Sequence, residues 1–230
     1  MLEQMRKHMN WIMWTILVLI IVTFLFFGIY PSGSGRGVAA TVNGDVISAT
    51  EVTRVYRNLY DTYRQIFKDQ FSEDMAKNLR SQALRELVQS RLLVQEATRI
   101  GIRVSDDEVR AAIVRIPAFA PQGTFDRATY ERYLDYINQK PRAFEESQRE
   151  VLLRQKMERI IEEGVDIADE EVRAAYASRN PKAKPKDFEA NKASFRQSLL
   201  AEKKRSAVDA YVRGLEKKAV IKTSEEGLAS

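Results

Sequence analysis

Between Met9 and Gly35 the chain carries no charged residue, and residues 11–30 (WIMWTILVLIIVTFLFFGIY) are almost wholly apolar. At ~1.5 Å per residue such a run makes a helix of roughly 30 Å, the thickness of a bilayer's hydrocarbon core. Trp11, Trp14 and Tyr30 stand near its ends, where amphipathic rings favour the headgroup level. A cleaved signal peptide is the competing reading, but its apolar region spans only ~7–15 residues and closes in a small-x-small site. Here the run is longer and ends Phe27-Gly28-Ile29-Tyr30-Pro31, a poor cleavage sequence. Arg6 and Lys7 flank it on the N-terminal side, and basic flanks stay in the cytoplasm. The expectation is an uncleaved anchor with the rest of the chain exported.

That exported part has neither cysteine nor histidine, since the chain's single histidine is His8. Ser-His-Asp and Cys-His nucleophilic sites need those residues, and so do zinc sites built from Cys and His. No glycine-rich phosphate loop occurs either; residues 32–37 (SGSGRG) read as a flexible tether. Acidic residues stand at helix starts and on helix surfaces, with none isolated in an apolar run. Catalysis, a cofactor and a metal are therefore not expected. Net charge is +5, and residues 182–222 hold twelve Lys or Arg against five Asp or Glu. Outside the cytoplasm this reads as a solvated basic helix face, or as attraction to anionic lipid or an acidic partner, and not as a nucleic-acid site.

Along the exported chain the first signal is Asn43-Gly44 between two short β-favouring runs, the pattern of a type I′ hairpin. Ser48 and Glu51 form a capping box for a helix reaching to about Gln70, with Val52, Val55, Tyr56, Leu59, Tyr63, Ile66 and Phe67 on one stripe. Ser72 caps a second helix that Gly101 ends, with Met75, Leu79, Ala83, Leu84, Leu87, Val88, Leu92 and Ala97 facing inward. Ser105 and Glu108 open a short third helix; residues 117–123 are a loop by their Pro and Gly content. Asp126 caps the next helix, and Pro141 starts a longer one that closes at Gly164. Residues 167–176 (IADEEVRAAY) then echo residues 104–113 (VSDDEVRAAI), though without the capping serine. After a Lys/Pro linker comes a basic helix of about thirty residues and a closing strand, 219–222, that can pair with the hairpin's open edge.

Taken together, these landmarks resemble the SurA/PpiD family of exported chaperones and prolyl isomerases. Val42-Asn43-Gly44-Asp45-Val46-Ile47 resembles the family's hairpin, and residues 101–109 (GIRVSDDEV) its "G-I-x-V-S-D-x-E-V" segment. Gly123-Thr124-Phe125-Asp126, followed by Tyr130 and Leu134, resembles its "G-x-F-D" turn and helix, and residues 219–222 its closing strand. The N-terminal anchor resembles the PpiD branch, which implies an inner-membrane, single-pass protein with a cytoplasmic N-terminus and a periplasmic bulk.

The fold class implied is mainly α: a helical chaperone module with a small β-sheet from the hairpin and the C-terminal strand, preceded by one transmembrane helix. In domains, residues 1–10 are the cytoplasmic N-terminus, 11–30 the anchor and 31–37 the linker. Residues 38–180 are the chaperone domain, 181–187 the Lys/Pro linker, 188–222 the helix and strand completing the domain, and 223–230 a tail. Family members carry parvulin isomerase domains between the second acidic helix start and the C-terminal helix. Here that interval is only the linker, too short for the ~ninety residues such a domain needs, so no isomerase activity is expected.

The resemblance implies a holdase whose partners are unfolded or newly translocated envelope and outer-membrane proteins. The alternatives are a non-catalytic scaffold of a membrane complex such as the secretion channel, and, against the missing domain, a prolyl isomerase. Candidate client contacts are aromatic residues off the buried stripes or in loops: Tyr60, Phe71, Phe119, Phe125 and Tyr136. Rings give large apolar contact at low entropy cost, which suits a surface meeting many sequences. The competing role for each is to fill its own core.

Overall fold

The computed structural model describes residues 37–182 and 184–224. The expected membrane helix, residues 11–30, lies outside them. Among the described residues no helix is long and apolar enough to cross a membrane.

Strands β1 (Val38–Val42) and β2 (Asp45–Ser48) form the hairpin, paired Val42 with Asp45 and Thr41 with Val46. Asn43 (φ 52°) and Gly44 (φ 96°) take the two left-handed positions of the turn, which is why Asn-Gly stands there. Seven α-helices follow among the described residues: α1 (Ala49–Phe67), α2 (Glu73–Arg99), α3 (Asp106–Val114), α4 (Arg127–Tyr136), α5 (Pro141–Glu163), α6 (Asp169–Arg179) and α7 (Pro185–Glu216). Strand β3 (Ile221–Thr223) then pairs antiparallel with β1, giving the sheet order β2-β1-β3. The expected closure of the hairpin by the C-terminal strand is present. The strand is displaced toward the C-terminus because α7 ends in a turn through Ala219.

The helix starts follow their sequence signals. Ser48 and Ser105 accept from the N3 backbone N–H groups of Glu51 and Glu108, whose carboxylates accept in return from the serine N–H groups. Ser72 and Asp126 cap α2 and α4. At α6 the position belongs to Ala168, which has no capping side chain; the Asp166 carboxylate accepts from the Ile167 N–H instead, at 2.8 Å.

Four apolar clusters are strung along three long helices, α2, α5 and α7. The first joins the inner face of the sheet (Ala40, Val42, Ile47) to Val52 of α1 and to Ala83, Leu84, Val88 and Leu92 of α2. The second lies between α3, α4 and α5, around Phe119 and Phe144. The third joins α6 to the N-terminal half of α7, through Tyr176, Phe188 and Leu199. The fourth ties the other half of α7, at Val212, to Leu93 and Ala97 of α2 and Met157 of α5. At about 48 Å, α7 is long enough to serve both.

One expectation is corrected. The apolar stripe on α1 is not a buried one along its whole length: only Val52 in it is fully buried, while Ile66 is 66% exposed and Phe67 is also exposed. The last turns of α1 keep only partial apolar cover, the half-buried Tyr63 pairing with Phe67 at 5.7 Å. Helical periodicity defines a face but does not say how far the opposing element extends.

Candidate functional site

A cleft of ≈ 720 Å³ opens between the first turn of α1 and the middle of α2 on one side and α4 and α5 on the other. Leu87, Val94, Tyr133, Ile137 and Val151 supply its apolar lining. Arg91 is fixed there by two carboxylates, Glu51 at 3.3 Å and Glu150 at 3.1 Å, so one guanidinium bridges α1, α2 and α5. Its side chain is mostly buried, which lets the pairs stiffen the wall more than surface pairs would. Amide and hydroxyl groups of Ser90, Asn138, Gln139, Ser147 and Gln148 also reach the cleft. Such a surface can take an extended chain, apolar side chains against the floor and backbone groups against the amides.

The five aromatic residues singled out from the sequence do not converge on one site. Tyr60 and Phe71 meet edge to face at 5.0 Å, both half-buried, at the turn joining α1 to α2. Tyr63 and Phe67 pair nearby at 5.7 Å, and Ile66 beside them is 66% exposed. Phe119 is 2% exposed, its ring packed on Tyr130 (5.3 Å), Tyr133 (5.2 Å) and Phe144 (6.0 Å). In this structure it is a core residue and offers no surface. Pro117, at the start of a short 3₁₀ turn, directs it inward. Phe125 is half-buried, 5.9 Å from Tyr130, beside a second cavity of ≈ 470 Å³. Tyr136, on α4, is 88% exposed.

Sequence reasoning missed Ile66 and Phe67, assigned to an inward stripe, and the Glu51–Arg91–Glu150 bridge. No local signal announces the bridge, because its members lie on three helices. Among the described residues no group of His, Cys, Asp or Glu is placed to hold a metal ion.

The strongest electrostatic feature holds α7 against α2. Glu96 is 9% exposed and accepts from Arg99 Nε (2.6 Å), Arg99 Nη2 (2.8 Å) and the Tyr211 hydroxyl (2.8 Å). The Arg99 bonds lower its pKa most; burial opposes them, and Tyr211 and the Arg99 and Lys218 charges add to the lowering, leaving it at about 2. A carboxylate whose folded pKa lies below its unfolded one stabilises the fold above the unfolded value and loses that stabilisation as pH falls. Glu96→Gln is therefore expected to cost about 2 kcal/mol at neutral pH. The gap between wild type and variant should close as pH drops from about 5 toward 2. Denaturant melts across that range check this, and a gap independent of pH would contradict it.

Comparison with known proteins gives a consistent picture. Residues 1–158 match the family described as "SurA-like N-terminal domain". The chain is 30% identical over 165 residues to the periplasmic chaperone PpiD of Escherichia coli (strain K12), covering 68% of this chain and 26% of that protein. It is 33% identical over 126 residues to PpiD of Haemophilus influenzae (52% and 20%), and 29% identical over 154 residues to the chaperone SurA of Pseudomonas syringae pv. tomato (64% and 33%). The chain thus spans between a fifth and a third of the length of these relatives. Among solved structures it matches one from a study of PEB4 and Cj1289, two structurally related SurA-like chaperones of Campylobacter jejuni. The TM-score is 0.53 at 13% identity, over 83% of this chain and 100% of that one. At that identity the likeness speaks for the fold alone.

Proposed function

This chain belongs to the family of SurA-like N-terminal domains, and from that membership we propose that it is a membrane-anchored periplasmic holdase. Its clients are unfolded or newly translocated envelope and outer-membrane proteins. Residues 11–30 are the anchor, 31–37 the tether, and residues 38–180 with 188–222 one chaperone domain. The family match carries the reading; the mixed apolar and amide cleft and the aromatic turn at α1–α2 support it as surfaces for varied extended chains. Of the candidate contacts, Tyr60, Phe71, Phe125 and Tyr136 keep accessible ring surface. Helix α6 ends at Arg179 and α7 begins at Pro185, so no isomerase domain stands in that interval and the holdase works by contact area without turnover.

The test has four readouts. Protease added to spheroplasts should remove the exported domain while the intact chain fractionates with membranes; a soluble form starting after Gly28 would contradict the anchor. The purified protein should slow aggregation of an unfolded outer-membrane protein at near-stoichiometric ratio. It should not accelerate exchange of an X-Pro peptide, whose barrier of ~18–20 kcal/mol demands an organised pocket. Isomerase activity surviving repurification would overturn the non-enzymatic part. Crosslinking that recovers one stoichiometric partner and no diverse clients would replace the holdase with a scaffold.

A further inference from the structure

The echo between residues 104–113 and 167–176 extends far beyond the helix starts. The long helices that follow both open Pro-x-x-Phe-Glu, at Pro141 and Pro185, and both carry Arg-x-x-Leu-Leu-x-x-Lys, at Arg149 and Arg196. Matching residues hold matching roles. Arg149 donates to the Val104 carbonyl (2.6 Å) and to Asp106 (2.7 Å), and Lys156 pairs with Glu108 (2.6 Å). Arg196 donates to the Ile167 carbonyl (2.8 Å) and to Asp169, and Lys203 pairs with Glu171. The cores also correspond, with three more residues between Phe188 and Arg196 than between Phe144 and Arg149: Val104, Val109, Ile113, Phe144 and Leu152 in the first unit, Ile167, Val172, Tyr176, Phe188 and Leu199 in the second. Two ion-pair geometries and five core positions recur together, so α6 and α7 form a second copy of the α3–α5 unit.

The copies differ in what joins their short and long helices. In the first, α4 and the turns around it cover the unit, and Phe119, Tyr130 and Tyr133 pack edge-on against Phe144. In the second, α6 passes directly to α7, and among the described residues no helix takes the place of α4. A groove of ≈ 270 Å³ opens there, walled by Arg173, Tyr176, Ala177, Asn180, Phe188 and Glu189. The Arg173 guanidinium lies over the Phe188 ring, 5.3 Å from its centroid. Its pair with Glu189 is loose, at 4.0 Å with the two side chains 71% and 66% exposed, and so is readily exchanged for other partners.

We propose that this groove takes one aromatic side chain of an extended polypeptide, seated beside Phe188 as Phe119 is seated beside Phe144. In the first copy three rings meet Phe144 edge-on. In the second, among the described residues, only Tyr176 meets Phe188 so, at 5.2 Å, and the groove runs beside that pair. A groove of this volume admits a ring and not a helix. On its rim, Arg173 donates and Glu189 accepts, matching the carbonyl and N–H groups of the backbone on either side of the inserted residue. That the polypeptide is a chaperone client rests on the function proposed above.

The test titrates the full chain, in detergent, with a short labelled Gly/Ser peptide carrying one central Phe and with the same peptide carrying Ala. The Phe peptide is expected to bind about tenfold more tightly, the scale of one well-placed aromatic contact plus its buried area. Ala177→Trp, at an exposed wall position, should plug the groove and weaken the Phe peptide about tenfold with the melting temperature unchanged. Ala177→Glu should act likewise by leaving a charge against the incoming ring. Equal binding of the two peptides, or folded Ala177 variants that bind the Phe peptide as wild type does, would overturn the proposal. Suppression of client aggregation is read in parallel. If it persists without peptide discrimination, the groove fails and the holdase stands; if discrimination is found without it, the groove stands and the holdase fails.

Discussion

Deleting residues 182–230 is expected to yield a fragment that aggregates and shows no cooperative melt. The segment carries Phe188 and Leu199 of the α6–α7 cluster, Val212 of the cluster tying α7 to α2 and α5, and strand β3. Each fully buried side chain of this size contributes about 1.5–3 kcal/mol, so these three alone approach the ~5–15 kcal/mol by which whole domains are stable. The cut also bares Leu93, Ala97 and Met157, leaving a contiguous apolar face on α2 and α5. Light scattering and thermal melts of the fragment check this. A soluble fragment melting as the full chain does would show that α7 is an accessory and not part of the core.

Phe119→Ser carries the second-largest expected effect. Phe119 is almost fully buried and packs on three rings. Truncating such a ring costs about 3–5 kcal/mol through lost transfer energy and the cavity left behind. In a domain of this size the melting temperature should fall by about 10 °C. Under the function proposed above, client holding at a temperature where the variant remains folded should match wild type. Tyr136→Ser is the contrast: its ring projects into solvent, so the melting temperature should hold within about 2 °C while client holding declines. A wild-type melt for Phe119→Ser would contradict its place in the core.

The parts of the fold that sequence made legible are those specified within a few residues. Asn43-Gly44, the Ser48/Glu51 and Ser105/Glu108 boxes, and Pro141 at a first turn each state their geometry locally, and each stands where read. The closing strand was legible for a different reason: an open hairpin edge needs a partner, and the chain's end held a β-favouring run. Relations between distant helices were not legible. Ile66 and Phe67 fit the stripe on α1 because periodicity defines a face and does not show which of its positions another element covers. Phe119 looked available because loop composition marks exposed backbone, while a single ring within the loop can still point into the core. The Arg91 bridge and the Glu96–Arg99–Tyr211 cluster depend on tertiary placement, so the residues lining the cleft could be read only from the structure.

Asn43 joins the two ends of the folded domain. Its N–H donates to the Val220 carbonyl at 2.9 Å, its side-chain oxygen accepts from the Val220 N–H at 2.8 Å, and its amide nitrogen donates to Gln95 at 2.8 Å. The residue that shapes a turn near the start of the domain thus also fastens a residue 177 positions further along. Contacts at such sequence separation form late, because the loop between them must be closed before they repay its entropy. Whichever end of the chain is delivered first, the sheet cannot gain its third strand until the other arrives. Edge strand β1 therefore stays open until residues 221–223 arrive, and their pairing sets the moment at which the domain becomes a single cooperative unit.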